Sequence, residues 1–448
     1  MRCRKEVILP SLLQGEERGD LEENHVHYHG VDKASQHISY EDALQSFLKE
    51  ISPVKKTESV GLYDSLGRVL SEDIKAELDV PAQSRSTRDG YALKLKTSGA
   101  SAGSTFKITG EVKIGEKPRL ELKDGEAIKV ATGSFLPRGS NAVVMKEYVE
   151  RKTTPGGGRL TEILQITRQT FPRENILEAG EDLAKGSTVL LRGTLLKPHH
   201  LALLSMVGRK QVKVYARPRI AFFSTGDELV DSRTAGNSKE EKTRDANRPF
   251  IDAMLRQLGA LPVDLGIVKD DFKSISKTLL KGLRYDALIL SAGSSVGDRD
   301  YVSRAFESIR EAKILVHGVA MRPSSPTGLG VFREHAPFIM LPGFPTSMIV
   351  SFLVFARPAI LKLSGASSSN LLTPMFKVRL EESYSGRSGL THFLRLKIQE
   401  RNGTRVARIA KPTEAQYSSW LKETNGIGIL RPRKSSAAKG EEIDAFLM

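Results

Sequence analysis

The chain has 448 residues, 39% apolar and 27% charged, which at roughly 150 residues per domain suggests about three domains and a globular rather than disordered or membrane-spanning composition. A single cysteine, Cys3, rules out an internal disulfide or a thiolate metal cage. The net charge of +15 favours polyanions, phosphorylated ligands or oxyanions as partners. The basic residues are scattered and no nucleic-acid-reading motif accompanies them, so nucleic acid is not the expected partner.

Residues 1–37 are polar, without a helical or strand period, and read as a flexible extension. Their alternating His25, His27 and His29 would share one face of a strand and hold a metal only if that segment were ordered. No secretory cleavage pattern follows the first residues and no run approaches a bilayer span, so a cytoplasmic protein is expected. From Ser39 the text SYEDALQSFLKEIS places Ala43, Phe47, Leu48 and Ile51 on one helical face behind a capping serine. Residues 38–80 together with 178–216 are predicted to form a discontinuous mixed α/β domain. Between them, residues 81–177 alternate apolar and polar in short runs punctuated by Gly, Pro and Asn, as in FKITGEVKIG and AVVMKEYVE. That pattern predicts a small, mostly antiparallel β-domain.

Strands then alternate with helices over 217–364: RIAFFSTGDEL, NRPFIDAMLRQLGA, LPVDLGIVKDD, ISKTLLKGLR, YDALILSAGSSVGD and IMLPGFPTSMIVSFLVFARPAILKL. The rhythm predicts a doubly wound parallel sheet with helices on both faces. A Ser-rich linker introduces a last strand-rich segment over 371–448. The predicted fold class is therefore multidomain α/β and β: a doubly wound α/β domain, a small antiparallel β-domain, a mixed linker domain and a C-terminal β-domain.

Ligands of open α/β sheets lie outside the carboxyl ends of the strands, which directs attention to the turns at Ser224–Glu228, Asp270–Asp271 and Ser291–Asp300. SAGSSVGDRD offers small residues for close backbone approach to a phosphate, with Ser291, Ser294 and Ser295 as hydroxyl donors, but has neither a Walker lysine nor GxGxxG spacing. Asp89, Asp182, Glu228, Asp270 and Asp300 supply the oxygen ligands that a hard cation on a phosphate requires. Each taken singly also reads as a helix cap or turn former.

The ordered segments DVPAQSRSTRDGYAL, ATGSFLPRGSNAVVMKE, GEDLAKGSTVLLRGTLLKPHHLALLSMVG, RPRIAFFSTGDELVD, SAGSSVGDRDYV, HGVAMRPSSPTG and LPGFPTSM resemble the molybdopterin molybdenumtransferase family across residues 39–448. The gephyrin E-domain is similar, and the chain reads as a divergent prokaryotic or archaeal-type member. The resemblance implies a four-domain, dimeric subunit that inserts molybdate into adenylylated molybdopterin and releases AMP, with 217–364 as its molybdopterin-binding-like domain. It implies catalytic roles for Asp89, Asp182, Glu228, Asp270 and Asp300, of which Asp270, Asp300 and Glu228 would place Mg²⁺. Pterin-nucleotide contacts are implied for Thr132, Ser224, Thr225, Gly226, Ser291, Gly293, Ser295, Gly297, Pro342 and Gly343. Arg322, Arg395 and Ser347 would bind the oxyanion, and a transient contact with a molybdopterin adenylyltransferase is expected.

Departures from the family pattern cluster in the ligand loops. Ala292 and Ser294 stand in the family's SGGVSVG, Arg322-Pro323-Ser324-Ser325 in its KPGKP, Phe344 in its LPGNP, Arg88 in place of a methionine, and Glu414 near an expected serine. These changes leave tungstate, a modified pterin, or a non-catalytic molybdopterin-binding carrier or scaffold as alternatives.

Overall fold

A computed structural model describes residues 37–119, 121–156, 159–233, 242–292, 301–333, 335–410 and 417–448. The expected extension over 1–36 with its histidine triplet, the positions Gly293, Ser294, Ser295, Gly297 and Asp300, and Glu414 lie outside these residues.

The first helix, Tyr40–Glu50, begins where the serine signal places it: Ser39 Oγ accepts from the Asp42 N–H at 3.1 Å, and Glu41 and Asp42 lie at the positive end of the helix dipole. Its buried Ala43, Leu44, Phe47 and Leu48 join the core of the central α/β sheet. Thr57–Gly61 pairs antiparallel with Gln211–Tyr215, and Ile74–Lys75 with Thr188–Leu190, so segments far apart in the chain close one unit.

Between them lies a six-stranded sheet in the order Ala142–Met145, Gly90–Leu93, Glu126–Val130, Thr105–Val112, Arg159–Ile166, Val149–Gly156. Its pairings are antiparallel except between Thr105–Val112 and Glu126–Val130. Gly90 is required there, because a Cβ would stand 1.9 Å from the Val144 carbonyl oxygen.

The central sheet has the order Leu261–Val268, Arg219–Thr225, Ala287–Ala292, Ala336–Pro342, Gly328–Phe332, Ala312–His317. The first four strands are parallel, as the βα rhythm predicts. One strand corrects the expectation of a wholly parallel sheet: Gly328–Phe332 runs antiparallel to both neighbours, while Ala312–His317 beyond it runs with the first four. The reason is chain length, since the short turn between Phe332 and Ala336 permits only a hairpin, whereas a parallel return needs a crossover of a dozen or more residues.

Alternation along Arg219–Thr225 sends Ile220 and Phe222 to one face and Ala221 and Phe223 to the other. On the first face they meet Ile251 and Leu255 of the helix Asn247–Gln257, and on the second Ile275 and Leu279 of Phe272–Gly282. The helical stretch Pro345–Leu363 is apolar and long enough for a membrane span by length and composition, but 78% of its most apolar window is buried inside the protein. It is a core helix of this domain, containing Met348, Phe352 and Phe355.

The C-terminal strands close on themselves: Thr391–Arg401, Thr404–Ile409, Phe376–Leu380, Glu442–Leu447 and Gly426–Leu430 pair in turn, and the last returns to Thr391–Arg401. Closure removes the sheet edges. The short strand Met321–Arg322, between two strands of the central sheet in the chain, adds parallel to Thr391–Arg401 with Arg322 opposite His392. This graft brings a central-domain arginine to the barrel.

Candidate functional site

The richest set of polar groups lies at the carboxyl ends of the parallel strands. Ser224 is the register neighbour of Ser291, and Ser291 of Leu341, so three adjacent strands end in one row. Asn247, at the start of its helix, ties this row together: Nδ2 donates to Ser291 Oγ and to the Gly343 carbonyl, each at 2.7 Å. A carbonyl can only accept, so the orientation of the amide is fixed and Oδ1 faces away from Gly343. Ser291 Oγ donates in turn to the Pro342 carbonyl at 3.2 Å.

Beside them Ser224 Oγ, Thr225 Oγ1 and Asn247 Oδ1 are buried without a hydrogen-bond partner among the described residues, while Asp245 Oδ2 is ion-paired with Arg248 Nη1 at 3.8 Å. Buried polar atoms are nearly always paired, so three orphans at a strand-end rim mark where a polar ligand or water would be received. Asp245 caps the helix, its Oδ1 accepting from the Asn247 N–H at 2.9 Å and the Arg248 N–H at 3.3 Å. The buried Arg248 braces the neighbouring loop through a two-pronged contact to Asp264 at 2.9 and 2.6 Å and a bond to Asp231 at 3.0 Å. Hydrogen bonds from Arg233 foremost, and from Arg248, hold the Asp231 carboxyl well below the usual range.

Gly226 follows Thr225 at φ +151°, and a Cβ there would lie 2.7 Å from both carboxylate oxygens of Glu228. The absence of a side chain lets the exposed Glu228 fold back over the strand end. The Asp270 N–H donates to Asp227 Oδ1 at 3.4 Å, which brings the turns after two neighbouring strands together. Asp271, by contrast, is a helix cap, accepting from the Ser274 N–H at 2.8 Å, and that bond lowers its pKa. The described residues contain no cluster of three His, Cys, Asp or Glu side chains suited to a metal. Of the expected trio, Glu228 and Asp270 are among the described residues and Asp300 lies outside them.

Asp89 and Thr132 meet on the small β-sheet rather than on the central one. Asp89 Oδ1 accepts from the Thr132 N–H at 2.9 Å and the Thr132 hydroxyl at 3.0 Å, while Lys146 Nζ sits 3.2 Å from Oδ2. These bonds, the Thr132 backbone first, lower the carboxyl's pKa. Asp182 is placed elsewhere again, in the turn whose backbone N–H donates to the Val80 carbonyl at 3.1 Å.

At the barrel edge burial raises the pKa of the Tyr384 hydroxyl, and the charges of Arg322 and Arg395 oppose that rise. Arg395 lies 6.0 Å over the Trp420 ring, its Nε buried without a partner, and burial lowers its pKa. Trp420 Nε1 donates to Thr346 Oγ1 at 2.9 Å, linking the C-terminal segment to the first turn of the core helix.

Ser347 takes part through its backbone, its carbonyl accepting from Ser324 Oγ at 2.6 Å. Ser324, which replaces the family's glycine, adopts φ +87°, a region glycine favours, and this hydroxyl bond compensates. Phe344 is 57% exposed at the N-cap position of the helix Pro345–Ser351.

Lys146, Asp245, Asn247, Tyr384 and His392 were not legible as site residues. The strongest available signal was the Asn in DANRPF at a predicted helix start.

A mixed sheet with a polar strand-end rim, joined to a second sheet and to a closed barrel, defines a multidomain α/β protein. Residues 38–208 match the model of the MoeA N-terminal region, domains I and II, and residues 221–362 that of the probable molybdopterin-binding domain. The chain is 30% identical to a putative molybdopterin biosynthesis protein of Methanocaldococcus jannaschii, over 93% of this chain and 97% of the relative. It is 32% identical to the molybdopterin molybdenumtransferase of a Nostoc species, over 71% of this chain and 72% of the relative. The crystal structure of the molybdopterin biosynthesis MoeA protein from Pyrococcus horikoshii OT3 superposes with a TM-score of 0.76 at 29% identity, covering 92% of this chain and all of that one. The chain belongs to the molybdopterin molybdenumtransferase family, and is a transferase of molybdenum cofactor biosynthesis.

Proposed function

We propose that the chain inserts molybdate, or tungstate, into adenylylated molybdopterin with Mg²⁺ and releases AMP, in the cytoplasm. The observation that carries this reading is the set of three buried polar atoms without a hydrogen-bond partner at the parallel strand ends, in the same domain that sends Arg322 to the barrel strand that also carries Arg395. The first suits a pterin phosphate and the second a tetrahedral dianion.

In balance, water opens the phosphoric anhydride and AMP leaves. The pterin dithiol gives two Mo–S bonds, and its two thiol protons depart with one oxo ligand as water. Ser224, Thr225, Gly226 and Ser291 would bind and orient the phosphates with Pro342 and Gly343, and the family resemblance adds Gly293, Ser295 and Gly297 to that set. Arg322 and Arg395, with the first turn of the core helix at Ser347, would hold the oxyanion.

Carboxylates of Glu228 and Asp270 suit Mg²⁺, which commonly takes one or two carboxylates and completes its shell with substrate phosphates and water. Asp300 would extend this set. Mg²⁺ supplies charge neutralisation at the anhydride. Asp89, held ionised by Thr132 and Lys146, and Asp182 belong to other units and would reach the ligand across an interface. A homodimer supplies one, with possible contact to an adenylyltransferase upstream. In its support, the helix Pro198–Met206 is apolar on several sides yet buries only Leu204, and Met206, Leu191, Leu78, Tyr63 and Leu66 are exposed around that unit.

The deciding experiment follows nucleotide products from adenylylated molybdopterin. AMP release that requires both molybdate and Mg²⁺, and is lost in Asp270→Asn, is the expected result. Pterin nucleotide bound without AMP release would instead indicate a carrier, the reading favoured by Phe344 in place of an amide, and ATP consumption with pyrophosphate release an adenylyltransferase.

A further inference from the structure

Next to the arginine pair lies a hydrogen-bonded relay that the transfer reaction above does not use. The Tyr384 hydroxyl is 3.0 Å from His392 Nδ1, and His392 Nε2 is 2.8 Å from the Arg387 carbonyl. Because that carbonyl only accepts, Nε2 carries a hydrogen. In the neutral ring Nδ1 is then the acceptor, and Tyr384 spends its one proton on it. The imidazole is 1% exposed and held in place by Gly386, where a Cβ would come 2.5 Å from the ring.

Among the described residues the groups facing His392 are cationic or neutral. Arg322 is its register partner on the parallel strand, and Tyr384 and the Arg387 backbone flank it, while Arg395, three residues on, lies on the other face of the same strand and acts on Tyr384 as a charge. Across the barrel stands Leu430, followed by Arg431, which is engaged with Glu41 at 2.9 Å.

In this arrangement the Tyr384 oxygen offers lone pairs, not a proton, to any further partner. An arriving dianion has only acceptors to offer, so Tyr384 can bond it only if its hydrogen is released from His392. We propose that oxyanion binding beside Arg322 and Arg395 takes up one proton at His392, whose Nδ1–H then donates to Tyr384, freeing the Tyr384 O–H to donate to the anion. The proton comes from solvent and no other bond breaks. The dianion supplies the negative charge that stabilises an imidazolium among arginines. Tyr384 is thus an anion-contacting group and His392 a positioning residue. The inference rests on the oxyanion reading of the arginine pair.

The test is calorimetric titration of the full chain with sodium molybdate at a series of pH values, in two buffers of different ionisation heat at each. The expected result is proton uptake on anion binding, rising toward one proton per anion at the upper end of the series, with affinity falling by up to about tenfold per pH unit there. Tyr384→Phe and His392→Asn should bind more weakly and lose the buffer dependence, and Arg395→Ala should lose binding. If the buried His392→Asn fails to fold, the half-buried Tyr384→Phe carries the test alone. Binding by the wild type without proton uptake, or by Tyr384→Phe with wild-type affinity and proton uptake, overturns the relay while leaving the oxyanion reading intact. Failure of the wild type to bind molybdate overturns that reading and the inference with it.

Discussion

Asn247→Ala is the sharpest test of how the strand-end rim is built. The amide makes two bonds of 2.7 Å, to Ser291 Oγ and the Gly343 carbonyl, which lie 44 and 96 residues away in the chain. A net contribution of about 1 kcal/mol per bond, plus the desolvation penalty of the acceptors left behind, gives a loss of about 2–4 kcal/mol. In a domain of this size each kcal/mol moves the melting temperature by about 2–4 °C, so a drop of at least about 4 °C is expected by scanning calorimetry.

Asn247→Asp separates geometry from volume. The carboxylate keeps the shape but sets an acceptor against the Gly343 carbonyl, so it should cost at least as much as alanine despite filling the same space. Binding of the pterin nucleotide should weaken in both, because Ser291 loses its anchor. Melting temperatures within a degree of wild type for both variants, or an aspartate variant more stable than the alanine one, would refute the assigned donor role.

Three further outcomes are expected. Asp270→Asn should lower Mg²⁺-dependent AMP release by about 100-fold or more with its fold intact, and wild-type turnover would remove this carboxylate from the mechanism. Thr132→Val should raise the titration midpoint of Asp89, followed by carboxyl carbon NMR, because it deletes one of the bonds that lower it. As the folded carboxyl is held below its unfolded value, its stabilisation is present above about pH 4 and is lost as the pH falls through the folded midpoint; an unmoved midpoint contradicts the assignment. Gly226→Ala should force Glu228 away from the strand end, raising KM for the pterin nucleotide, and an unchanged KM would show that the rim tolerates the displacement.

Local chemistry made much of the molecule legible in the sequence. The capping serine and apolar spacing announced the helix Tyr40–Glu50, and Gly-punctuated alternation announced the small β-sheet. The βα rhythm announced four parallel strands and pointed to the turns that end them. The pairing of Asp89 with Thr132 was expected only as two separate functional positions, 43 residues apart.

The wholly parallel sheet was misjudged because strand direction depends on the length of a connection, and the hairpin before Ala336 has no room for a crossover. Other features were beyond the text altogether. Asn247 bridging two strand ends, Trp420 reaching Thr346 across 74 residues, and the two-residue strand that hands Arg322 to the barrel each depend on partners supplied by tertiary packing.

By itself the sequence determined the elements, the family and the inventory of acids and arginines, because caps, periodicity and turn residues act over a few positions. Only the folded structure decided which of those groups share a surface and which donor faces which acceptor, because hydrogen-bond direction and burial exist only once distant strands have met.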